Sequence, residues 1–441
     1  MEKQQQLFFK LKDTPSPVQT IFFALQWALF IYSLNLIYPL VIGDVFQLPP
    51  QEITALVQRS TFLVGLGSFL QILWGHRLPI IEGVSALWFS IFILFNQAGT
   101  VTGQTPAEVL RYMEFGLIFS GIVMALFGFA GLLGSMQKLF TPLVVGLTLI
   151  LTGLQVSGSF VEGMLGYENG RISVLVALSS IGVVSLVVYL SYKGNVLLKS
   201  LSALIGLMVG WGLYSLLGLG EPVTQIALSG SPVYLPQLFA WGNPQMSGAM
   251  VITAFIGALV LISNQLASLI AIQEALGEEV PAEAAKSCGI FNGISNILSG
   301  VFAGIGTIPL ANSAGFIRMT GVGSRLPFLL ATVILMLVGL LWPLGQFFTR
   351  IPAPVAYAVS FATFSQMIGI GFSNLARVEM NRRNLLILGL TLCTSVGLMF
   401  IPPEAYGELP VIFQTVFSNG LLMGIVVVLL LEHAVFRAKG D

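Results

Sequence analysis

Apolar runs of about twenty residues recur along the whole chain, separated by short stretches that hold Pro, Gly or charge. They predict membrane-crossing segments at 18–42, 52–74, 79–97, 111–134, 139–158, 172–192 and 196–217. Seven more follow at 247–273, 284–303, 305–322, 326–348, 352–371, 384–402 and 411–435. The third and tenth runs differ from the rest, because each opens on Pro and small residues (Pro79 to Ala86; Thr307 to Gly315) before a helical pattern begins. In transporters, interrupted spans at matching places in two halves mark the binding site. Here each interrupted run is third in a half of seven. Glu82 follows Pro79 by three residues, as Asn312 follows Pro309. An inverted seven-plus-seven repeat would therefore put Glu82 and Asn312 in quasi-equivalent positions.

Composition changes this picture only by naming the solvent. Of the 441 residues 9% are charged, against about 25% in a soluble domain, so most of the surface must face lipid. The reading is an all-α polytopic protein, multi-pass in the cell (cytoplasmic) membrane, with the lipid bilayer as its first partner. Lys plus Arg and Asp plus Glu balance at 19 each, which leaves no basic field for nucleic acid. Two cysteines, Cys288 and Cys393, and two histidines, His76 and His433, build neither a disulfide framework nor a metal site. No cofactor is expected. Residues 1–20 lack a short apolar core with a cleavage pattern, so the first span is expected to stay in the mature protein.

The Lys and Arg positions set the orientation. With the N-terminus inside, fourteen of them, Lys3, Lys138, Arg437 and Lys439 included, fall on the cytoplasmic side. Three, Arg111, Arg171 and Arg350, fall outside, and Arg59 and Arg318 lie within spans. Both termini are expected in the cytoplasm.

Polar side chains at membrane depth are few and therefore informative. The eighth run contains Ser263, Asn264, Gln265 and Ser268, with Asn264 and Ser268 on one helix face. Hydrogen bonding between helices is the plain reading of such a cluster. The extended start of the tenth run leaves backbone groups unpaired, which a membrane protein tolerates only against protein or a water-lined cavity. Such groups suit a small planar polar solute, although a kinked or re-entrant helix is the alternative.

The run from Asn292-Gly293 through Ser295-Asn296 and Ser299-Gly300 to Asn312-Ser313-Ala314-Gly315 and Thr320-Gly321-Val322-Gly323-Ser324-Arg325 resembles the signature of the nucleobase-ascorbate transporters, also called nucleobase:cation symporter 2. Leu25-Gln26, Leu78-Pro79 with Gly83 and Ser85, Ile351 to Val355, and Ser418-Asn419-Gly420 add to the resemblance. It covers nearly the whole chain and looks most like the bacterial purine and xanthine-uracil permeases.

The resemblance implies fourteen transmembrane segments as a 7+7 inverted repeat, with short antiparallel strands in segments 3 and 10. It implies a core domain (18–135 and 247–350) moving against a gate domain (139–217 and 352–436) in an elevator-like cycle, with a homodimer formed through the gates. Substrate would meet Asn264, Ser268, Ala311, Asn312, Ser313, Ser85, Ala86 and Gln26. The chain departs from the family pattern where it matters for coupling. The family carboxylate of segment 8 is Asn264 here, a histidine one turn on is Ser268, the Glu or Gln of segment 10 is Asn312, and the signature Asn is Ser313. An amide holds a nucleobase edge with one donor and one acceptor but exchanges no proton. Glu82 is then the proton-coupling candidate, its alternative being a boundary carboxylate exposed to water or paired with Arg77.

The leading reading is a secondary active permease for a purine-type nucleobase such as xanthine, urate or hypoxanthine, with a proton, or else sodium, as coupling ion. The alternative is an anion carrier or channel of the sulfate or bicarbonate kind. An enzyme is not expected, since no Ser-His, paired-Asp or metal-ligand set lies at membrane depth.

Overall fold

A computed structural model describes residues 7–132, 139–168, 170–219, 232–278, 281–401, 403–406, 417 and 419–436. Lys3, Lys138, Arg437, Lys439, Ser418 and the first residues of the expected last span, 411–416, lie outside them.

The described chain is mostly helical. In order come α1 (Pro17–Asn35), α2 (Ile37–Val45), α3 (Pro50–Leu73), β1 (Glu82–Val84), α4 (Ala86–Val101) and α5 (Pro106–Phe129). Next are α6 (Pro142–Met164), the hairpin β2 (Tyr167–Glu168) and β3 (Arg171–Ile172), α7 (Val174–Lys193), α8 (Val196–Ser200) and α9 (Ser202–Leu216). The second half holds α10 (Gly248–Leu276), α11 (Ala282–Val301), β4 (Thr307–Pro309), α12 (Asn312–Thr320) and α13 (Arg325–Gly339). It closes with α14 (Trp342–Phe348), α15 (Ala353–Leu375), α16 (Arg382–Met399) and α17 (Gly420–Leu430). Seven helical stretches among these are long and apolar enough to cross a bilayer, α1 and α2 counting as one, and four shorter apolar helices accompany them.

Helix starts follow local chemistry. Ser16 and Gln19 form a capping box before α1, Thr105 and Glu108 one before α5, and Pro occupies the first helical turn of α1, α3, α5, α6 and α15.

Glycine decides which helices approach closely. A Cβ on Gly293 of α11 would lie 2.5 Å from the Gly121 carbonyl of α5. One on Gly371 of α15 would lie 2.8 Å from the Gly146 carbonyl of α6, and one on Gly339 of α13 would lie 2.5 Å from the Phe62 nitrogen of α3. Three tight crossings result: α5 with α11, α6 with α15 and α3 with α13.

At the centre β1 and β4 pair antiparallel, Glu82 opposite Pro309, Gly83 opposite Ile308 and Val84 opposite Thr307, and all six residues are buried. The ladder extends through Ser85 N–H to the Gly306 carbonyl (2.8 Å) and Leu310 N–H to the Ile81 carbonyl (2.8 Å). Each strand leads straight into a helix. Buried strand backbone is thus paired within the protein, as the bilayer interior demands. Gly83 suits this approach, because a Cβ there would sit 2.4 Å from the end of the Leu310 side chain, which would have to move, and 3.1 Å from the Asn35 side-chain oxygen.

Candidate functional site

The strand pair is held from every side by short polar side chains. Asn35 of α1 accepts from Val84 N–H (2.6 Å) while donating to the Ile31 carbonyl (2.6 Å). Ser268 of α10 donates to the Pro309 carbonyl (2.7 Å), and its hydroxyl also lies 3.0 Å from the Asn264 carbonyl. Ser313 of α12 accepts from Ile81 N–H (2.9 Å), and Ser85 caps α4 by accepting from Trp88 N–H (3.3 Å). Ser85, Ser268 and Ser313 are all buried. Their polar groups are therefore committed to the backbone of this region.

A second set of predicted residues is open. Ala311 and Asn312, at the start of α12, are exposed, and Ala86, Gln26 and Asn264 are partly exposed. Among the described residues, neither the Asn264 nor the Asn312 side chain makes a hydrogen bond. Asn264 lies one turn before the serine that grips Pro309, and Asn312 lies three residues after Pro309, so both flank the end of β4. Gln26 is tied in less directly: its neighbour Trp27 packs against Phe316 of α12 with ring centroids 4.2 Å apart.

Glu82 occupies the interior of the assembly. Its side chain is fully buried. Asn292 of α11 donates to Oε1, the Thr307 hydroxyl lies 3.5 Å from the same oxygen, and Gln71 of α3 donates to Oε2 (3.3 Å). The backbone N–H of Glu82 donates to Ser68 (2.9 Å). Glu82 is thus neither water-exposed nor paired with Arg77. Asn292 and Asn296 also donate to the Thr307 carbonyl at 3.2 and 2.9 Å, so α11 clamps β4 as well. This role escaped the sequence reading. The signal was the spacing of Asn292, Ser295, Asn296 and Ser299, which puts four polar residues on one helix face.

His76, in the loop between α3 and β1, is held neutral: burial, with the Arg325 charge second, pushes its imidazole down to about 3. Its Nδ1 accepts from Leu78 N–H (3.0 Å). It is no proton carrier near neutral pH. Arg318 pairs with Glu274 at 3.3 Å with both side chains more than half exposed, and Arg59 pairs with Glu52 at 2.7 Å.

Beyond Ala86 the α2–α4 region meets α6 and α15 through aromatic rings. Phe89 lies 6.0 Å from Phe160 and 5.5 Å from Phe364, and Tyr38 lies 6.2 Å from Phe364, between ring centroids. Tyr357 donates to Asp44 (2.7 Å) and Gln97 to Ser159 (3.2 Å) across the same seam. Farther along α15, Ser365, Gln366, Gly369 and Ser373 are exposed.

The family model Xan_ur_permease, described as Permease family, matches residues 18–404. Among curated relatives, "Putative purine permease YwdJ" of Bacillus subtilis (strain 168) is 30% identical over 409 residues, covering 91% of this chain and 92% of that one. Xanthine permease of the same organism is 24% identical, covering 92% and 91%. Xanthine permease XanP of Escherichia coli (strain K12) is 24% identical, covering 96% and 93%. Among solved structures, the transmembrane domain of a cyanobacterial bicarbonate transporter, BicA, superposes with TM-score 0.64 at 14% identity, covering 95% of this chain and 99% of that one. SLC26A9 gives 0.65 at 14%, covering 94% and 66%.

Proposed function

This chain belongs to the Xan_ur_permease permease family, is a transporter and not an enzyme, and from that premise we propose that it moves a purine-type nucleobase such as xanthine, urate or hypoxanthine. One observation carries the reading: Asn264 and Asn312 flank the end of a buried strand pair, and among the described residues their amides make no hydrogen bond. Each amide offers one donor and one acceptor, matching the edge of a nucleobase. In this reading Ala86, Ala311 and Gln26 line the same opening, and Ser85, Ser268 and Ser313 fix the backbone that the base would meet. The names of the purine and xanthine relatives point the same way. The likeness to BicA and SLC26A9 bears on fold alone, so the anion-carrier reading gains no support at the site.

We infer fourteen segments in a 7+7 inverted repeat. The packing is consistent with this, since β1 pairs with β4 and α6 packs against α15, which would be equivalent elements of the two halves. The α3–α13 and α5–α11 crossings would be exchanged by the same two-fold. Residues 18–135 with 247–350 form the core domain and 139–217 with 352–436 the gate. The core moves against the gate in an elevator-like cycle, and the gates pair in a homodimer. The protein sits in the cytoplasmic membrane with both termini inside, which places the Tyr357–Asp44 and Phe89–Phe364 seam towards the outside. In that orientation the exposed polar part of α15 lies towards the cytoplasm. Transport is coupled to a proton carried by Glu82.

Uptake of labelled xanthine into cells expressing the protein, competed by a panel of purines, pyrimidines, sulfate and bicarbonate, tests the substrate class. Competition by purines alone is expected. Competition by sulfate or bicarbonate instead would sink the reading.

A further inference from the structure

The carboxylate of Glu82 and strand β4 share one amide. Both hydrogens of Asn292 Nδ2 are in use, one on Glu82 Oε1 and one on the Thr307 carbonyl. Its Oδ1, by contrast, is buried and has no hydrogen-bond partner among the described residues. Asn296 shows the same division, donating to the Thr307 and Asn292 carbonyls with its own Oδ1 unpartnered.

This division suits an ionised Glu82, which only accepts. A protonated Glu82 must donate, and a buried hydroxyl without an acceptor is costly. Gln71 already turns its Nε2 to Glu82, and its Oε1 accepts from His76 N–H (3.4 Å). The Asn292 Oδ1 is a buried acceptor with no partner among the described residues, carried by the same amide that already holds Glu82. Rotation of the amide about its terminal bond brings Oδ1 to Glu82 and takes Nδ2 away from both Glu82 and Thr307. Asn296 keeps its bond to Thr307, so β4 would be held by one amide instead of two.

We propose that Asn292 is a positioning residue that converts the protonation of Glu82 into a change in the grip on β4. The inference rests on Glu82 as proton carrier. The step conserves its atoms: one proton adds to a carboxylate oxygen, and hydrogen bonds alone are exchanged. β4 passes the change on, because its Pro309 carbonyl is held by Ser268 of α10 and Asn312 begins α12 three residues later. The other titratable groups on the Gln71 side are Cys288 of α11, whose Sγ lies 3.9 Å from Gln71 Nε2, and His76. Among the described residues no Lys, Arg or Asp is a hydrogen-bond partner of the Glu82 side chain.

The test uses the full chain in liposomes, with labelled xanthine as probe, measured both as exchange at equal pH and as accumulation under an imposed pH gradient. Asn292→Ala should slow exchange at equal pH less than it lowers accumulation under the gradient. Gradient-driven accumulation should fall about tenfold, and the pH midpoint of uptake should move by about one unit. Asn292→Ser, whose hydroxyl both donates and accepts, should recover part of the accumulation. In purified protein, infrared absorption of the protonated carboxyl should shift in frequency between wild type and Asn292→Ala, which reports the bond without transport. Glu82→Gln that still accumulates xanthine under the gradient would overturn the proton-carrier reading beneath the proposal. Loss of accumulation in Glu82→Gln, but not in Asn292→Ala, would overturn the role of Asn292 alone. An unshifted carboxyl band in Asn292→Ala would overturn it as well.

Discussion

Tyr357 of α15 donates its hydroxyl to the Asp44 carboxylate at 2.7 Å, tying α15 to α2 across the aromatic seam of Phe89 and Phe364. Within the proposed cycle this bond has to break for the core to move past the gate. Tyr357→Phe removes the donor and keeps the ring. With a net hydrogen bond of about 1 kcal/mol, the open form should gain about fivefold in population. A cysteine placed at Ser159, with Cys393 replaced by serine, should then react correspondingly faster with an impermeant maleimide. Equal rates in both backgrounds would show that the bond is no latch.

Ser268 is predicted to act on β4 before it acts on substrate. Ser268→Ala strips the donor from a buried carbonyl of Pro309, at a cost of about 1–3 kcal/mol. The thermal midpoint of the purified protein should fall accordingly, and restoring the hydroxyl with Thr should recover part of it. A midpoint unchanged in Ser268→Ala would mean that Pro309 finds another donor.

At the α5–α11 crossing, Gly293→Ala should destabilise by about 1–3 kcal/mol, because the new Cβ would fall 2.5 Å from the Gly121 carbonyl. Gly158→Ala is the control, since nothing lies within 4 Å of a Cβ there. Thermal unfolding of the two variants side by side checks this, with the drop expected in the first only.

Arg59 and Glu52 should respond unequally to loss of the other. Arg59 is 1% exposed, with Nε on the Ala303 carbonyl, whereas Glu52 is 27% exposed and also accepts from Trp241 Nε1 (3.0 Å). Glu52→Gln removes the ion pair of a sealed cation, which keeps only its electrostatic interaction with Glu114, and should cost about 3 kcal/mol. Arg59→Met frees a carboxylate that already reaches solvent and should cost about 1–2 kcal/mol. Reversed magnitudes in thermal unfolding would contradict this.

Much of the frame was legible because lipid imposes one simple rule: apolar runs become helices, and irregular backbone is confined to protected places. Pro79, Gly83 and Pro309 marked the two breaks, and the strand pair lies there. What periodicity could not give is which buried polar group meets which. Glu82 and Asn292 are 210 residues apart, and nothing local in either segment announces their contact. The same limit applies to Ser268 and Ser313: their polarity was visible, but their commitment to Pro309 and Ile81 depends on the pairing of distant strands. Asn264 and Asn312 differ because their amides make no hydrogen bond among the described residues, which is a property of the packed protein.

Those two amides are the central claim, and calorimetric titration of xanthine into the purified protein tests it most directly. Asn264→Leu and Asn312→Leu keep the side-chain size but leave a buried base edge without donor and acceptor, at a cost of about 1–3 kcal/mol. Each should weaken binding about tenfold or more while the thermal midpoint stays close to that of the parent. Unchanged affinity in variants that fold normally would contradict the placement of the substrate between these residues.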